Sequence, residues 1–252
     1  MNDPTSSRSD SNWAKPVDTL SVGSLPAGAL NLNVQGKRLS GPVRGFGQLW
    51  QKTYRIQFST SPAPVSPQHV VQEWKTHFPT FWPKGNRFYR SGSSITPGDV
   101  AVLNLAGPGG VTAPGGGPLI STGIMVIYAD DESFSFMTPE GHLFAGMITF
   151  SAEDCGDGQT AAQIQALVRA NDPLYEVMFR LGASKMEDQF WLATLRNVAA
   201  HLGLQGEPTC RSVCVDSRLA WHEAGNIRHN AGIRTALYTV GAPLRWVKRQ
   251  LK

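Results

Sequence analysis

His142 is the side chain whose type and setting best suit chemistry. It follows the turn glycine Gly141 and shares strand parity with Phe144, Ile148 and Phe150. If that face turns inward, a neutral imidazole there orients a polar group or, with Glu140, works as an acid/base. The plain alternative is a histidine satisfied by a turn carbonyl at a strand end. Cys210, Cys214, His222 and His229 have the ligand types of a zinc site. The Cys-x-x-x-Cys spacing matches no common finger, and His222-Glu223 lacks the second histidine of a His-Glu-x-x-His helix, so no metal is expected. The Gly/Pro loop 107–118 lacks the Gly-Lys-Ser/Thr ending of a phosphate-binding loop, which excludes nucleotide binding. It reads as an exposed linker or as a cover over a cavity mouth. No nucleophile elbow marks a Ser-His-Asp set, and no cofactor is expected.

The elements that must position these residues are legible from periodicity. Residues 49–58 alternate, with Trp50, Tyr54, Ile56 and Phe58 on one face and Lys52 as the misfit among them. Ser66-Pro67 starts a helix that carries Val70, Val71, Trp74 and Phe78 and stops at the prolines beyond. A strand at 100–105 precedes the Gly/Pro loop. Residues 119–150 then read as three antiparallel strands, turning at Asp130-Asp131-Glu132 and at Pro139-Glu140-Gly141. A fourth strand at 160–170 places Arg169 on its solvent side. Asn171-Asp172-Pro173 caps a short helix. Ser184-Lys185-Met186-Glu187 has the form of a capping box for a long helix that Gly203 ends, with Trp191 and Leu195 on its apolar face.

A meander closed by a long helix makes a curved sheet that grips the helix. Thr138-Pro139-Glu140-Gly141-His142, Phe144-Ala145-Gly146 and Ile148-Thr149-Phe150 resemble a bacterial subgroup, without assigned function, of the START-like superfamily (SRPBCC, helix-grip). The segment from Asn171-Asp172-Pro173 through Phe190-Trp191 is similar to the same subgroup's closing element, so the resemblance covers about 45–205. It implies an α+β helix-grip fold holding an internal cavity. Superfamily members bind sterols, lipids, polyketides or hormones, and some are cyclases or dehydratases. The resemblance carries over no catalytic residue.

On that basis the expected ligand-binding wall is Tyr54, Trp74, Phe78, Phe134, Phe136, His142, Phe144, Ile148, Trp191 and Leu195. Packed as ordinary core, the same aromatics would leave no pocket. The expected ligand is a hydrophobic small molecule or lipid, with an enzymatic reading (a cyclase or dehydratase using His142 and Glu140) and a filled-cavity protein adaptor as the alternatives.

The chain has 252 residues, of which 17% are charged, with 26 glycines and 17 prolines, a composition suited to a turn-rich β domain. Residues 1–40 are polar, Gly/Pro-rich and aperiodic, and are expected to be mostly disordered. The domain is expected over 41–205, and a basic amphipathic helical extension over 206–252. The net charge of +4 is mild, but the tail beyond 226 is basic without a single acid. There Ile233, Leu237, Val240, Leu244, Val247 and Leu251 form a helical stripe flanked by Arg245 and Lys248, interrupted at Gly241 and Pro243. Such a stripe meets anionic lipid, a protein partner, or its own domain. The basic run is too short and too poor in stacking aromatics for nucleic acid. With no apolar leader, no run of ~18 apolar residues and only three cysteines, the expected location is the cytoplasm, with the tail as a means of reaching the inner membrane face.

Overall fold

The computed structural model describes residues 9–58, 65–90, 92 and 94–241. Eight strands form one antiparallel sheet: β1 (Leu49–Gln57), β2 (Arg87–Tyr89), β3 (Val100–Leu105), β4 (Ile120–Ala129), β5 (Ser133–Met137), β6 (Phe144–Gly156), β7 (Gln159–Ala170) and β8 (Thr209–Asp216). Their spatial order is β2-β3-β4-β5-β6-β7-β1-β8. Among the described residues, four α-helices accompany them: α1 (Pro67–His77), α2 (Pro173–Met178), α3 (Ser184–His201) and α4 (Ala231–Val240). The sheet grips α1 and α3 on one face, which is the α+β helix-grip arrangement that the meander and the long helix imply.

Local chemistry explains the boundaries. Asp130 Oδ1 accepts from the amides of Glu132 and Ser133 and so closes the β4–β5 turn. Ser66 Oγ accepts from the His69 amide and Pro67 takes the first helical position, which starts α1. Asp172 caps α2 by accepting from the amides of Leu174 and Tyr175. Gly203, at φ 68°, ends α3.

The inward face follows the even-numbered residues of the central strands. Register places Tyr54 beside Ile164 and Ile164 beside Phe150, and Phe150 sits opposite Phe134. These join Trp74 and Phe78 of the α1 region and Leu195 and Val198 of α3 in one core.

Three expectations fail. From residue 9 onward, the N-terminal segment expected to be disordered lies on the sheet's other face. Leu20 and Val34 are buried there with Val100, Val102 and Met125, and Trp13 packs on Tyr128 at 4.6 Å. A few apolar side chains spaced through a Gly/Pro-rich stretch leave no periodic signal, yet they cover a patch that the strands could not leave wet. The segment beyond 205, expected to be helical, opens instead with β8, an edge strand paired to β1 and exposed along nearly its whole length. Arg169, expected to face solvent, is held by Asp216 at 2.7 Å and by the carbonyls of Gly47 and Arg218.

Helix α4, in the basic tail, packs on β4 through small residues. Ala231 and Thr235 are fully buried, and Asn33 Nδ2 donates to the Ser121 carbonyl and to Thr235 Oγ1. Asn230 Nδ2 donates to Asp172 at 2.8 Å, and Tyr175 Oη accepts from the Gly232 amide, so α4 is also tied to α2.

Candidate functional site

The expected wall divides into two regions. Tyr54, Trp74, Phe78, Phe134, Phe136 and Leu195 are buried in direct mutual packing. Phe134 stacks on Phe150 at 4.8 Å, Trp74 meets Phe150 edge-on at 5.4 Å, and Phe78 touches Phe134, Phe136 and Phe150 at 5.1–5.7 Å. Trp191 closes this cluster at 5.6 Å from Phe150, and Ile148 packs against it. Helix α1 fills the space a ligand would need, and none of these residues lines either of the two cavities described below.

Phe144 alone among the expected wall residues lines one. At the other end of the grip, a cavity of about 180 Å³ lies between the ends of β1, β6 and β7 and the α2–α3 bend. Its apolar wall is Trp50, Phe144, Val168, Ala170 and Phe179, and its polar wall is Gln48, Lys52, Glu176, Arg180, Ser184 and Glu187. Strand alternation turns Trp50 and Lys52 inward, and register sets Trp50 against Val168 and Phe144 against Ala170. The bend is a wide turn at Phe179–Ala183 in which Gly182 adopts φ 120°. That turn brings Phe179 flat onto Phe144, with ring centroids 4.5 Å apart and planes within 6°.

The chemistry of the cavity lies on its polar wall. Lys52 Nζ donates to Ser184 Oγ at 3.0 Å, Glu187 Oε2 at 2.7 Å and Asp188 Oδ1 at 2.8 Å. Tyr54 Oη donates to the same Asp188 oxygen at 2.7 Å. The side chains of Lys52 and Glu187 are 5% and 11% exposed, so the pair is all but removed from water. Burial on its own would lower the Lys52 pKa, but the two carboxylates outweigh it and hold the ammonium above its ordinary value. Burial raises the Glu187 carboxyl, with Lys52 opposing. Burial also raises the Tyr54 phenol, reinforced by both carboxylates. The Ser184/Glu187 capping box is not formed: Ser184 lies inside the helix, and both side chains bind Lys52 instead. One signal in the sequence pointed here, a lysine out of place on an apolar strand face; the Ser-x-x-Glu pair 132 residues later that receives it reads from sequence as a helix cap. Phe179 and Trp50 carried no comparable signal.

His142 lies away from the cavity. Its ring is buried, Nδ1 accepts from the Phe144 amide at 3.0 Å, and the side chain lines neither this cavity nor a smaller one. Burial pushes its pKa down to about 4. Glu140 pairs with Arg38 at the smaller cavity, of about 60 Å³, which Asn171, Asn226 and His229 also line. Burial would raise the Glu140 carboxyl, but Arg38 holds it below the usual range. Among the described residues, none from the segment 107–118 lines either cavity. Cys210 and Cys214 are exposed on β8 and are not gathered with His222 and His229 into a ligand set among the described residues.

Along the tail, Ile233, Leu237 and Val240 point away from the domain, with Leu237 69% and Val240 79% exposed. Leu244, Arg245, Val247, Lys248 and Leu251 lie outside the described residues. No helix among the described residues is long and apolar enough to cross a membrane.

No family model matches the chain, and no curated protein does. Solved structures similar to it include protein Ms6760 from Mycobacterium smegmatis, at 14% identity and TM-score 0.41, covering 72% of this chain and 97% of that one. Ginseng major latex-like protein 151 from Panax ginseng is 16% identical at TM-score 0.39, covering 62% and 98%. A START superfamily protein from Mycobacterium smegmatis is 17% identical at TM-score 0.39, covering 62% and 99%. The helix-grip fold of this chain rests on its own strand order and on the helices the sheet holds.

Proposed function

We propose that this protein binds a small, uncharged, amphipathic molecule in the cavity between the sheet and the α2–α3 bend. The observation that carries this is the cavity itself, where an aromatic wall faces a buried Lys52–Glu187 pair. The charges lining it balance, Lys52 and Arg180 against Glu176 and Glu187. An ionised ligand group would meet no surplus of opposite charge. A hydroxyl or carbonyl group fits better, donating to Glu187 or accepting from the Ser184 hydroxyl, whose oxygen already accepts from Lys52, with the apolar part against Trp50, Phe144 and Phe179. The volume of about 180 Å³ is well below the ~300–1,000 Å³ of pockets for drug-sized ligands, which favours a single ring or the end of a chain over a whole sterol.

Native mass spectrometry of the gently purified protein, with uptake of a hydrophobic dye, tests this. A bound small molecule and dye uptake are expected, both lost in Val168→Phe, which fills the cavity. A protein that is always empty and takes up no dye overturns the reading. The enzymatic alternative through His142 and Glu140 gains nothing from the geometry, since the two residues do not share a cavity.

The outward stripe of α4 supports a second, separate role in docking to an anionic membrane surface, with the basic residues around it approaching the headgroups. Co-sedimentation with vesicles containing phosphatidylserine is expected for the full chain and strongly reduced in Leu237→Glu/Val240→Glu. Equal sedimentation of the two overturns it.

A further inference from the structure

We propose that Glu73, His77 and His201 form a binding site for a divalent transition-metal cation, zinc being the fitting choice, that clamps α1 to the end of α3. Glu73 and His77 lie one turn apart on α1, so both side chains project from the same helix face. His201 is the last residue of α3 and reaches the same point from the other gripped helix. Glu73 Oε2 is 2.8 Å from His201 Nε2 and 3.6 Å from His77 Nε2, and the two imidazole rings have centroids 4.8 Å apart. One ligand atom from each residue falls within 4.8 Å of the others. Small side-chain rotations would bring all three to the ~2.0–2.2 Å that zinc requires of nitrogen and carboxylate ligands. Two imidazoles and one carboxylate with a face left open to water is a recognised zinc donor set.

A second observation points to a cation independently of ligand type. His77 ends α1 and His201 ends α3, so the negative ends of two helix dipoles converge on the site. The Phe81 ring lies edge-on to His201 at 5.2 Å and limits the ring's freedom to turn away. The three side chains are 28–43% exposed, which leaves a path for the ion. The site is on α1, the helix that fills the aromatic half of the grip, and none of its three residues lines the ligand cavity. Bound metal would therefore tighten the closed half of the grip without occupying the open one.

Calorimetric titration of the full-length protein with zinc chloride, paired with thermal unfolding, tests the proposal. One zinc per chain is expected, with the unfolding temperature raised by about 5 °C or more at saturating metal. His201→Gln and His77→Gln should each weaken zinc binding by at least about tenfold and abolish the zinc-dependent rise, with unchanged circular dichroism. If either variant fails to fold, Glu73→Gln serves in its place. Absence of binding overturns the proposal. Binding that survives in the variants overturns it as well, as does a thiolate-to-metal band on cobalt substitution, which would place the ion on Cys155, Cys210 or Cys214. A purely structural Glu73–His201 hydrogen bond predicts lowered stability in His201→Gln but no response to zinc in the natural chain.

Discussion

The two halves of the grip share a sheet and differ in what the helices bring to it. In one half, α1 and the turn that follows it present Trp74 and Phe78 to Phe134, Phe136 and Phe150, and aromatic edges and faces close the space. In the other, the α2–α3 bend presents Phe179, Ser184 and Glu187 to Trp50, Lys52 and Phe144, and a cavity remains. The contrast shows that a continuous apolar strand face does not by itself define a pocket. Aromatic density produces packing, since interiors fill to the density of organic crystals. The cavity persists where a buried ion pair and a widened helical turn prevent that packing.

The largest effect expected on this contrast comes from the closed half. Phe150→Ala should lower stability by about 3–5 kcal/mol in chemical denaturation while leaving dye uptake by the cavity intact. Loss of the dye with the ring would merge the two regions into one. Lys52→Met should cost about 3 kcal/mol, because Glu187 would be left buried without its cation. The double variant Lys52→Met/Glu187→Met should recover most of that. A single variant as stable as the natural protein would show that the pair is effectively solvated.

The third effect concerns His142. With a folded pKa of about 4 against 6.5 for an exposed imidazole, the unfolded chain takes up a proton that the folded chain refuses between these values. Stability held above about pH 6.5 should therefore fall with acid, by about 2 kcal/mol at pH 5. His142→Asn, which keeps an acceptor for the Phe144 amide, should flatten that slope in urea titrations at pH 7.5 and 5. An unchanged slope would assign the acid sensitivity to other groups. The smallest effect is expected of Phe144→Leu, at about 1 kcal/mol in stability, since Phe144 borders empty space. Its dye affinity should nonetheless drop more than that of Phe150→Ala, because Phe144, unlike Phe150, lines the cavity.

Period and capping chemistry made most of the architecture readable in advance. The two-residue alternation of 49–58 and 119–170 and the helical spacing from Ser66 and from Ser184 each reappear as an element within a residue or two. These are local signals, carried by residues adjacent along the chain, and the order strand, helix, meander, long helix follows from them. What locality could not supply was who meets whom. Parity correctly placed Phe134, Phe136, Phe150 and Phe144 on one face, yet only the position of α1 made three of them core and left the fourth at a cavity. Lys52 stood out as a misfit, and Ser184 and Glu187 read as a helix cap. Their union is a contact between β1 and α3 across more than 130 residues of chain. Glu73, His77 and His201 carried no sequence signal as a set for the same reason, since two helix ends had to converge before they became neighbours. The burial of Leu20 and Val34, like the pairing of β8 to β1, depends on a surface that exists only once the sheet has formed. Elements were therefore written in the chain's short-range pattern, whereas the cavity, its ion pair and the covering of the sheet were decided by long-range packing, where shape and desolvation set the outcome.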